Sequence, residues 1–573
     1  MQARMEFPIG VSDFEEMVQG DYYFIDKTLL IKEIMEDGAK VILLTRPRRF
    51  GKTLNLSMIY YFLSENYYNK VNQNLFEGLD ISEDTEFCKK HQGKYPVIFI
   101  SFKDIKELTF PAAYAKITLL IKKLYGNHRY LLEGDLLAQD ERDTFMAILN
   151  QQANEEHIEA SIQSLAEYLT RKFNQFPIIL IDEYDTPIQQ AYLKKHYDEM
   201  AGLMRSLLGQ ALKDNNPNGR FLEKAIITGI TRVGQESIFS GLNNFEVYSV
   251  LEEKYGQYFG FTEKEVLKLI NDSQQTLPLA PIKEWYNGYQ IGKYTLYNPW
   301  SIIKCLKNKG TLEWYWVNTS SNDLIAELLT DADITIKLQF EQLLQGEIVE
   351  RPISKNLVFP EIQTSEEALW SLLLYTGYLK VLSTQRTEFQ MLAQLAIPNK
   401  EVRFVYNKII AHWFVIKSSL DSYRKFIESL LSGDINTFKH QLSNYIMQTG
   451  SYFDFNKHTP EEVFHIFILG LVVGLKDEYI IQSNRESGIG RLDVIFIPKS
   501  NKRQGILIEF KTSENSDSLL IKAQEALKQI KDQQYIETFK QHNVASVLAI
   551  GLAFSGKQME LVQEVISIRE SEN

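Results

Sequence analysis

VILLTRPRRFGKTLNLSMIYYF, residues 41–62, is the stretch on which the reading of the chain turns. It opens with VILLT at 41–45, a continuous apolar run. A strand with one wet face would alternate, so an unbroken run predicts a strand buried on both faces. Downstream, Leu54, Met58, Tyr61 and Phe62 recur at i, i+4, i+7 and i+8, which predicts a helix from Thr53 to Glu65. Between strand and helix lies the basic turn TRPRRFGKT at 45–53. The first amides of a helix have no intrahelical partner and the helix dipole is positive there, so such a turn is suited to an anion.

The turn matches the phosphate-binding pattern GxxxxGK[ST] at its last three positions, Gly51, Lys52 and Thr53, and holds Arg46 where the first glycine would stand. Arg49, Phe50 and Gly51 would shape the cradle. Lys52 would reach the terminal phosphates of ATP or GTP, and the Thr53 hydroxyl would ligate Mg2+. A plain basic turn at a helix start reads the same way, so a partner motif is needed. IILIDEYD at 178–185 supplies it: a buried strand ending in Asp182, placed to hold magnesium through water, and Glu183, placed to polarise an attacking water. AIITGITR at 225–232 adds Thr228 as a sensor of phosphate or water and Arg232 as a neutraliser of transferring charge, with a surface salt bridge as the alternative for Arg232.

These runs, with VIFISF at 97–102, alternate with helical patterns such as Ser161 to Asn174, which predicts a parallel sheet covered on both faces. Aromatic turns follow, WYNGY at 285–289 and YNPWS at 297–301, and then a mostly helical stretch. A second α/β unit begins near Pro460, with a last strand at 547–554 followed by a predicted terminal helix. The expected division is 1–258, 259–330, 331–459 and 460–573.

The chain has 573 residues, with 62 Lys and Arg against 74 Asp and Glu, a net charge of −12. Binding nucleic acid through bulk positive charge is therefore not expected. Its two cysteines, Cys88 and Cys305, form neither a disulfide framework nor a zinc cluster. Met1 to Gly10 lacks the apolar core of a secretory signal, and the longest apolar run, Ile466 to Leu475, is about half of the ~20 residues that a membrane helix needs. A cytoplasmic protein without a membrane span is expected.

A second chemical site is carried by RLDVIFIPKSNKRQGILIEFK at 491–511, two β-rich runs around a polar loop. If the turn centres on Asn501, Asp493 pairs with Glu509, and Lys511 shares the face of Glu509 because strand side chains repeat every second residue. Facing carboxylates call for a cation, here a divalent metal. An acid followed by ExK on the next strand is the PD-(D/E)XK nuclease arrangement, in which the acids, Asp493 and Glu509, hold Mg2+ and the lysine, Lys511, activates water. A salt-bridged surface hairpin is the alternative. The segment is locally richer in Lys and Arg than in Asp and Glu, which suits a phosphate backbone.

Taken together, FPIGVSDF at 7–14, YYFIDKTLLIKEI at 22–34, LLTRPRRFGKTLNLSM at 43–58, LIDEYDTPI at 180–188 and ITGITRVGQESIFSGLNN at 227–244 resemble the AAA-ATPase-like family of bacterial P-loop proteins. The resemblance covers about the first 245 residues, makes Arg46 a family variant of the loop, and implies an ATP-binding module related to AAA-type and STAND-type switches. FHIFILGLVVGL at 464–475, SNRESGIGRLD at 483–493, ILIEFK at 506–511 and QEALKQIKDQQY at 524–535 resemble the nuclease-superfamily domain found behind such ATPases. That resemblance implies roles near the site for Gln529 and Tyr535, and for Glu486 as a further acid. The apolar stretch before it carries no acid where many active relatives have one.

The fold expected is α/β throughout: an N-terminal P-loop NTPase with a parallel sheet, a helical middle, and a C-terminal PD-(D/E)XK-like domain. The leading functional reading is an ATP hydrolase whose nucleotide state controls a Mg2+-dependent nuclease-like domain acting on nucleic acid, in a chain that can form a homo-oligomer. A non-cleaving ATP-dependent switch is the alternative. A small-molecule kinase is a third, for which no acceptor site is recognisable.

Overall fold

The computed structural model describes residues 6–64, 72–213, 221–232, 245–316, 322–331, 334–357, 359–362, 364–406, 420–449, 468, 475, 478–485, 492–500, 503–532, 539–540, 542 and 544–568. The chain divides into two compact units, Met1–Leu324 with Glu350–Val402, and Ile325–Val349 with Arg403–Asn573. Among the described residues, no helix is long and apolar enough to cross a membrane.

The first unit is built on five parallel strands, β1 (Val41–Thr45), β2 (Val97–Ser101), β3 (Ile178–Asp182), β4 (Lys224–Gly229) and β5 (Phe245–Tyr248), in the order β2-β3-β4-β1-β5. The four predicted strands fall where the apolar runs place them. β5, FEVY, is too short and too exposed to announce itself, and it is a strand because β1 offers it a free edge (Val41↔Phe245 to Leu44↔Tyr248). The order puts β4 between β1, which leads into the basic turn, and β3, which ends in the acids.

The helix Lys52–Leu63 starts as the turn ends and is buried on more than one face, because the N-terminal helix Phe14–Gln19 covers it as well as the sheet. The Phe14 amide donates to Ser57 Oγ at 2.9 Å, and Asp13, the cap of that short helix, accepts from the Ser57 and Tyr61 hydroxyls. The segment ahead of β1 is thereby fastened over the turn.

Segment 259–324 belongs to the same unit as the parallel sheet. It contains a small hairpin, β6 (Tyr289–Ile291) and β7 (Tyr294–Leu296), between helices. The middle of the chain is mostly helical. It also holds β8 (Val349–Ile353), β9 (Lys380–Arg386) and β10 (Met391–Ala396), joined in the order β8-β10-β9, which the sequence reading did not single out. The predicted helix at 407–414 and the apolar helix before Leu475 lie largely outside the described residues.

The C-terminal sheet runs β11 (Tyr479–Arg485), β12 (Leu492–Pro498), β13 (Gly505–Thr512), β14 (Ser546–Ser555), β15 (Gln558–Ser567), each beside the next. β13 and β14 are parallel and the other pairs antiparallel. The helix Leu519–Asp532 makes the crossover between the parallel pair. The expected terminal helix is corrected to β15: Gly556, in the left-handed region with φ 57°, closes a tight turn after β14, and ten cross-strand pairs satisfy an edge that a helix would leave bare.

One buried acid braces the carboxyl end of β4. Oδ2 of Asp185 accepts from the amides of Ile230 (3.0 Å) and Thr231 (2.8 Å), the Thr231 hydroxyl (2.8 Å) and Gln189 Nε2 (3.0 Å). Burial pushes its pKa up, and these hydrogen bonds oppose the shift. Gly229 lies against it, where a methyl group would stand 2.6 Å from the Tyr184 ring and 2.8 Å from Asp185 Oδ1. Asp185→Ala would leave buried amides without acceptors, so a loss of about 2–4 kcal/mol is expected in urea unfolding; a loss below about 1 kcal/mol contradicts the bracing role.

Candidate functional site

The basic turn is held open by contacts around it. Gly51 has φ 83°, a conformation natural to glycine, and Arg49 adopts the same left-handed region at φ 64° despite its side chain. The Arg49 guanidinium stacks 4.2 Å over the Trp300 ring and donates from Nη1 to the Tyr315 carbonyl at 3.1 Å. The Phe50 ring is buried edge-on against Tyr289, with ring centroids 5.0 Å apart, so it anchors the turn while the residue also lines the cleft described below.

Arg46 is fully buried. Its Nη1 donates to the carbonyls of Thr45 (2.8 Å) and Tyr248 (2.7 Å), and the guanidinium lies 4.9 Å over Phe259. Burial lowers its pKa to about 9, with the charge of Glu252 opposing. The departure from glycine at this position thus has a reason, since an arginine here ties the turn to β5.

Lys52 Nζ donates to the carbonyls of Arg46 and Pro47, both at 3.0 Å, and so spans the turn from within. Burial lowers its pKa, while Glu183, Asp182 and Asp185 act in the opposite sense. Beneath it, Asp182 is wholly buried and accepts three hydroxyls: Thr53 (2.9 Å) and Ser101 (3.3 Å) on Oδ2, and Thr228 (2.8 Å) on Oδ1. Burial raises its pKa, and the Thr228 and Thr53 hydrogen bonds hold it down. One carboxylate therefore gathers the loop helix and the ends of β2, β3 and β4.

Glu183 follows in the left-handed region, φ 50°, a strained choice for a non-glycine residue, and accepts from Thr186 Oγ1 at 3.1 Å. Arg232 starts the loop after β4. Its carbonyl accepts from the Leu357 amide, and its Nε is buried without a hydrogen-bond partner among the described residues. Thr53 and Thr228 are brought together on Asp182, and Lys52 lies within electrostatic reach of Asp182 and Glu183; among the described residues Arg232 shares none of these contacts.

A cleft of about 350 Å³ opens over the turn. One end is lined by Arg49, Gly51, Lys52, Thr53 and Glu183. The walls are largely apolar, among them Pro8, Val11, Phe24, Phe261 and Ile303. Charge at one end and apolar walls beyond suit a nucleotide, with phosphates on the turn and a base between the walls. The wall is pinned by Lys27, which bonds the Gln257 carbonyl (2.7 Å) and Glu265 (2.5 Å), and by Asn55, which bonds the Tyr258 carbonyl (3.0 Å). Sequence reasoning missed these wall residues and also Glu401, a buried acid whose pKa burial pushes up to about 7 against the hydrogen bonds it accepts. No periodic pattern marks them, and Glu401 sits in the polar run NKEVR at 399–403, which reads as an exposed turn.

In the second unit the hairpin register is the predicted one. Asp493 pairs with Glu509, followed by Val494↔Ile508, Ile495↔Leu507 and Phe496↔Ile506. Glu509 is buried, and among the described residues neither carboxylate oxygen has a hydrogen-bond partner. The Lys511 ammonium, two residues along the strand, lies 3.9 Å from Oε1. On the other side Glu509 pairs with Gly551, where a Cβ would come within 2.2 Å of the Ala523 carbonyl, so the helix Leu519–Asp532 closes directly on the sheet there. Gln529 lies on that helix. Asn501, Glu486 and Tyr535 fall outside the described residues, and among the described residues no group of three or more His, Cys, Asp or Glu converges. A buried carboxylate whose oxygens accept no hydrogen bond among the described residues, one strand from a second acid, fits a hard divalent cation.

Comparison with known proteins finds matches over the regions that hold these two sites. Residues 8–239 match the model described as a predicted AAA-ATPase, and residues 459–564 match that of the PD-(D/E)XK nuclease superfamily. An uncharacterised protein from the vnfD 5' region of Azotobacter chroococcum mcd 1 is 25% identical over 98% of this chain and 99% of its own length. A Walker-type ATPase of Pyrococcus abyssi is similar over 70% of this chain and 98% of its own, at 13% identity and a TM-score of 0.30. The chain thus carries a member of the AAA-ATPase-like family at residues 8–239 and a member of the PD-(D/E)XK nuclease superfamily at 459–564.

Proposed function

We propose that this protein binds and hydrolyses ATP, and that its nucleotide state controls a Mg2+-dependent nuclease-like domain acting on nucleic acid. The observation that carries the reading is the convergence of Lys52, Thr53 and Glu183 at one end of one cleft, with buried Asp182 bonded to Thr53 behind it. In this reading residues 1–258 form the ATPase domain, 259–330 a lid or linker, 331–459 the helical middle and 460–573 the nuclease-like domain.

With ATP in the cleft, the Lys52 ammonium exchanges its two carbonyl contacts for phosphate oxygens, a charge-assisted bond stronger than those it leaves. Arg49 and the amides at Gly51 and Lys52 add positive potential around the phosphates. Thr53 Oγ1 and, through water, Asp182 are the residues that would hold Mg2+, which when bound neutralises phosphate charge. Glu183, held by Thr186, orients and deprotonates the attacking water. Thr228, tied to Asp182, registers whether that end of the cleft is charged or empty. Arg232, three residues beyond the end of β4, would neutralise the transferring charge. In the second unit Asp493 and Glu509 would hold Mg2+, and Lys511 would position the water that attacks phosphorus.

Lys52→Ala removes a charge-assisted phosphate contact worth about 1.5–3 kcal/mol, so ATP affinity measured by calorimetry falls at least about tenfold; equal affinity contradicts the site. Glu183→Gln keeps ATP bound and slows phosphate release by about a hundredfold or more, and undiminished release assigns the water to another group. Full-length protein cuts plain DNA or RNA in Mg2+, and Glu509→Ala abolishes both the cutting and metal binding, whereas Lys511→Ala spares metal binding and lowers cutting. Nucleic-acid binding without cutting in the wild type would establish the non-cleaving switch in its place.

A further inference from the structure

Glu401 lies in the helical turn at 400–406, outside every motif of the nucleotide site, and its side chain is completely buried. It accepts from the Ser301 hydroxyl at 2.8 and 3.1 Å and from the Trp316 amide at 2.8 Å. Those two residues each adjoin one of the supports of Arg49: Ser301 follows Trp300, whose ring lies under the guanidinium, and Trp316 follows Tyr315, whose carbonyl accepts from Nη1. One acid thus clamps together two chain segments, at 300–301 and 315–316, that converge on the side chain of Arg49.

We propose that Glu401 is a positioning residue for nucleotide binding, which holds Trp300 and Tyr315 so that the Arg49 guanidinium is presented to the phosphates in the cleft. The proposal rests on the nucleotide reading given above. An arginine carries considerable rotamer freedom. Stacking on an aromatic face with one backbone acceptor removes much of that freedom before a ligand arrives, which favours binding without a new contact. Arg49 also stands in a left-handed backbone conformation that it keeps only while its surroundings hold it. Glu401 supplies that hold from a distance, and its negative charge favours the protonated guanidinium. A bulky apolar residue at 401 would pack as well yet leave Ser301 and the Trp316 amide without their acceptor.

The test is a double-mutant cycle on the full chain, with Mg-ATP affinity measured by calorimetry for wild type, Arg49→Ala, Glu401→Leu and the double variant. Arg49→Ala is expected to weaken binding roughly tenfold, as loss of one charge-assisted contact does. Glu401→Leu is expected to weaken it about three- to tenfold, and the double variant to bind no more weakly than Arg49→Ala alone, because Glu401 acts through Arg49. Unchanged affinity in either single variant, or losses that multiply in the double variant, overturns the proposal. If Glu401→Leu does not fold, as judged by thermal melting, Ser301→Ala takes its place in the cycle with the same two readings. Lys52→Ala separates the failures: ATP binding unaffected by Lys52→Ala overturns the nucleotide reading itself, whereas a loss there with no effect at Glu401 overturns only the positioning role.

Discussion

The bond network of Asp182 is the interaction on which the first unit depends. A carboxylate with no exposure is costly to bury unless every lone pair finds a donor, and here the donors are three hydroxyls from three separate elements. Thr53 brings the loop helix, Ser101 the end of β2 and Thr228 the end of β4. Satisfying one charge therefore sets the relative height of three strands and fixes the helix whose amides form the anion cradle. The same atoms that stabilise the fold are those that a bound cation and a triphosphate would recruit, and this makes the site sensitive to what occupies it.

The strands and the loop were legible because their signals are local. An apolar run that never alternates is a buried strand whatever its neighbours are, and a basic turn before an amphipathic stretch is a helix start. The hairpin register was legible for a related reason: Asp493 and Glu509 meet because turn length and side-chain period together allow one pairing, and the observed ladder has it. The rest was decided by partners far away in sequence. β5 is a strand because β1 has an open edge, β15 because β14 has one, and the second of these overrode a terminal stretch that reads as a helix.

Side-chain roles were harder to read than positions. Arg46 stands where the loop pattern has a glycine, and only the fold shows why: its guanidinium is consumed by the carbonyls of Thr45 and Tyr248. Phe50, expected to shape the cradle, lines the cleft and also packs edge-on against Tyr289. Asp185 was read only as part of an acidic strand end, and it braces the loop after β4 through four hydrogen bonds on one oxygen. In each case burial separates the structural from the chemical charge, and burial depends on the tertiary fold. The cleft walls were invisible for the same reason, since they come from segments 8–12, 23–25, 258–261 and 299–303.

The central claim is that Thr53 and Asp182 form the cation-binding half of a nucleotide site. The most direct measurement is the affinity of the full chain for ATP by calorimetry, with and without Mg2+, in wild type and in Asp182→Asn. The account predicts that Mg2+ strengthens ATP binding about tenfold or more in the wild type and that this gain disappears in the variant while metal-free binding persists. An equal gain from Mg2+ in both proteins would contradict it.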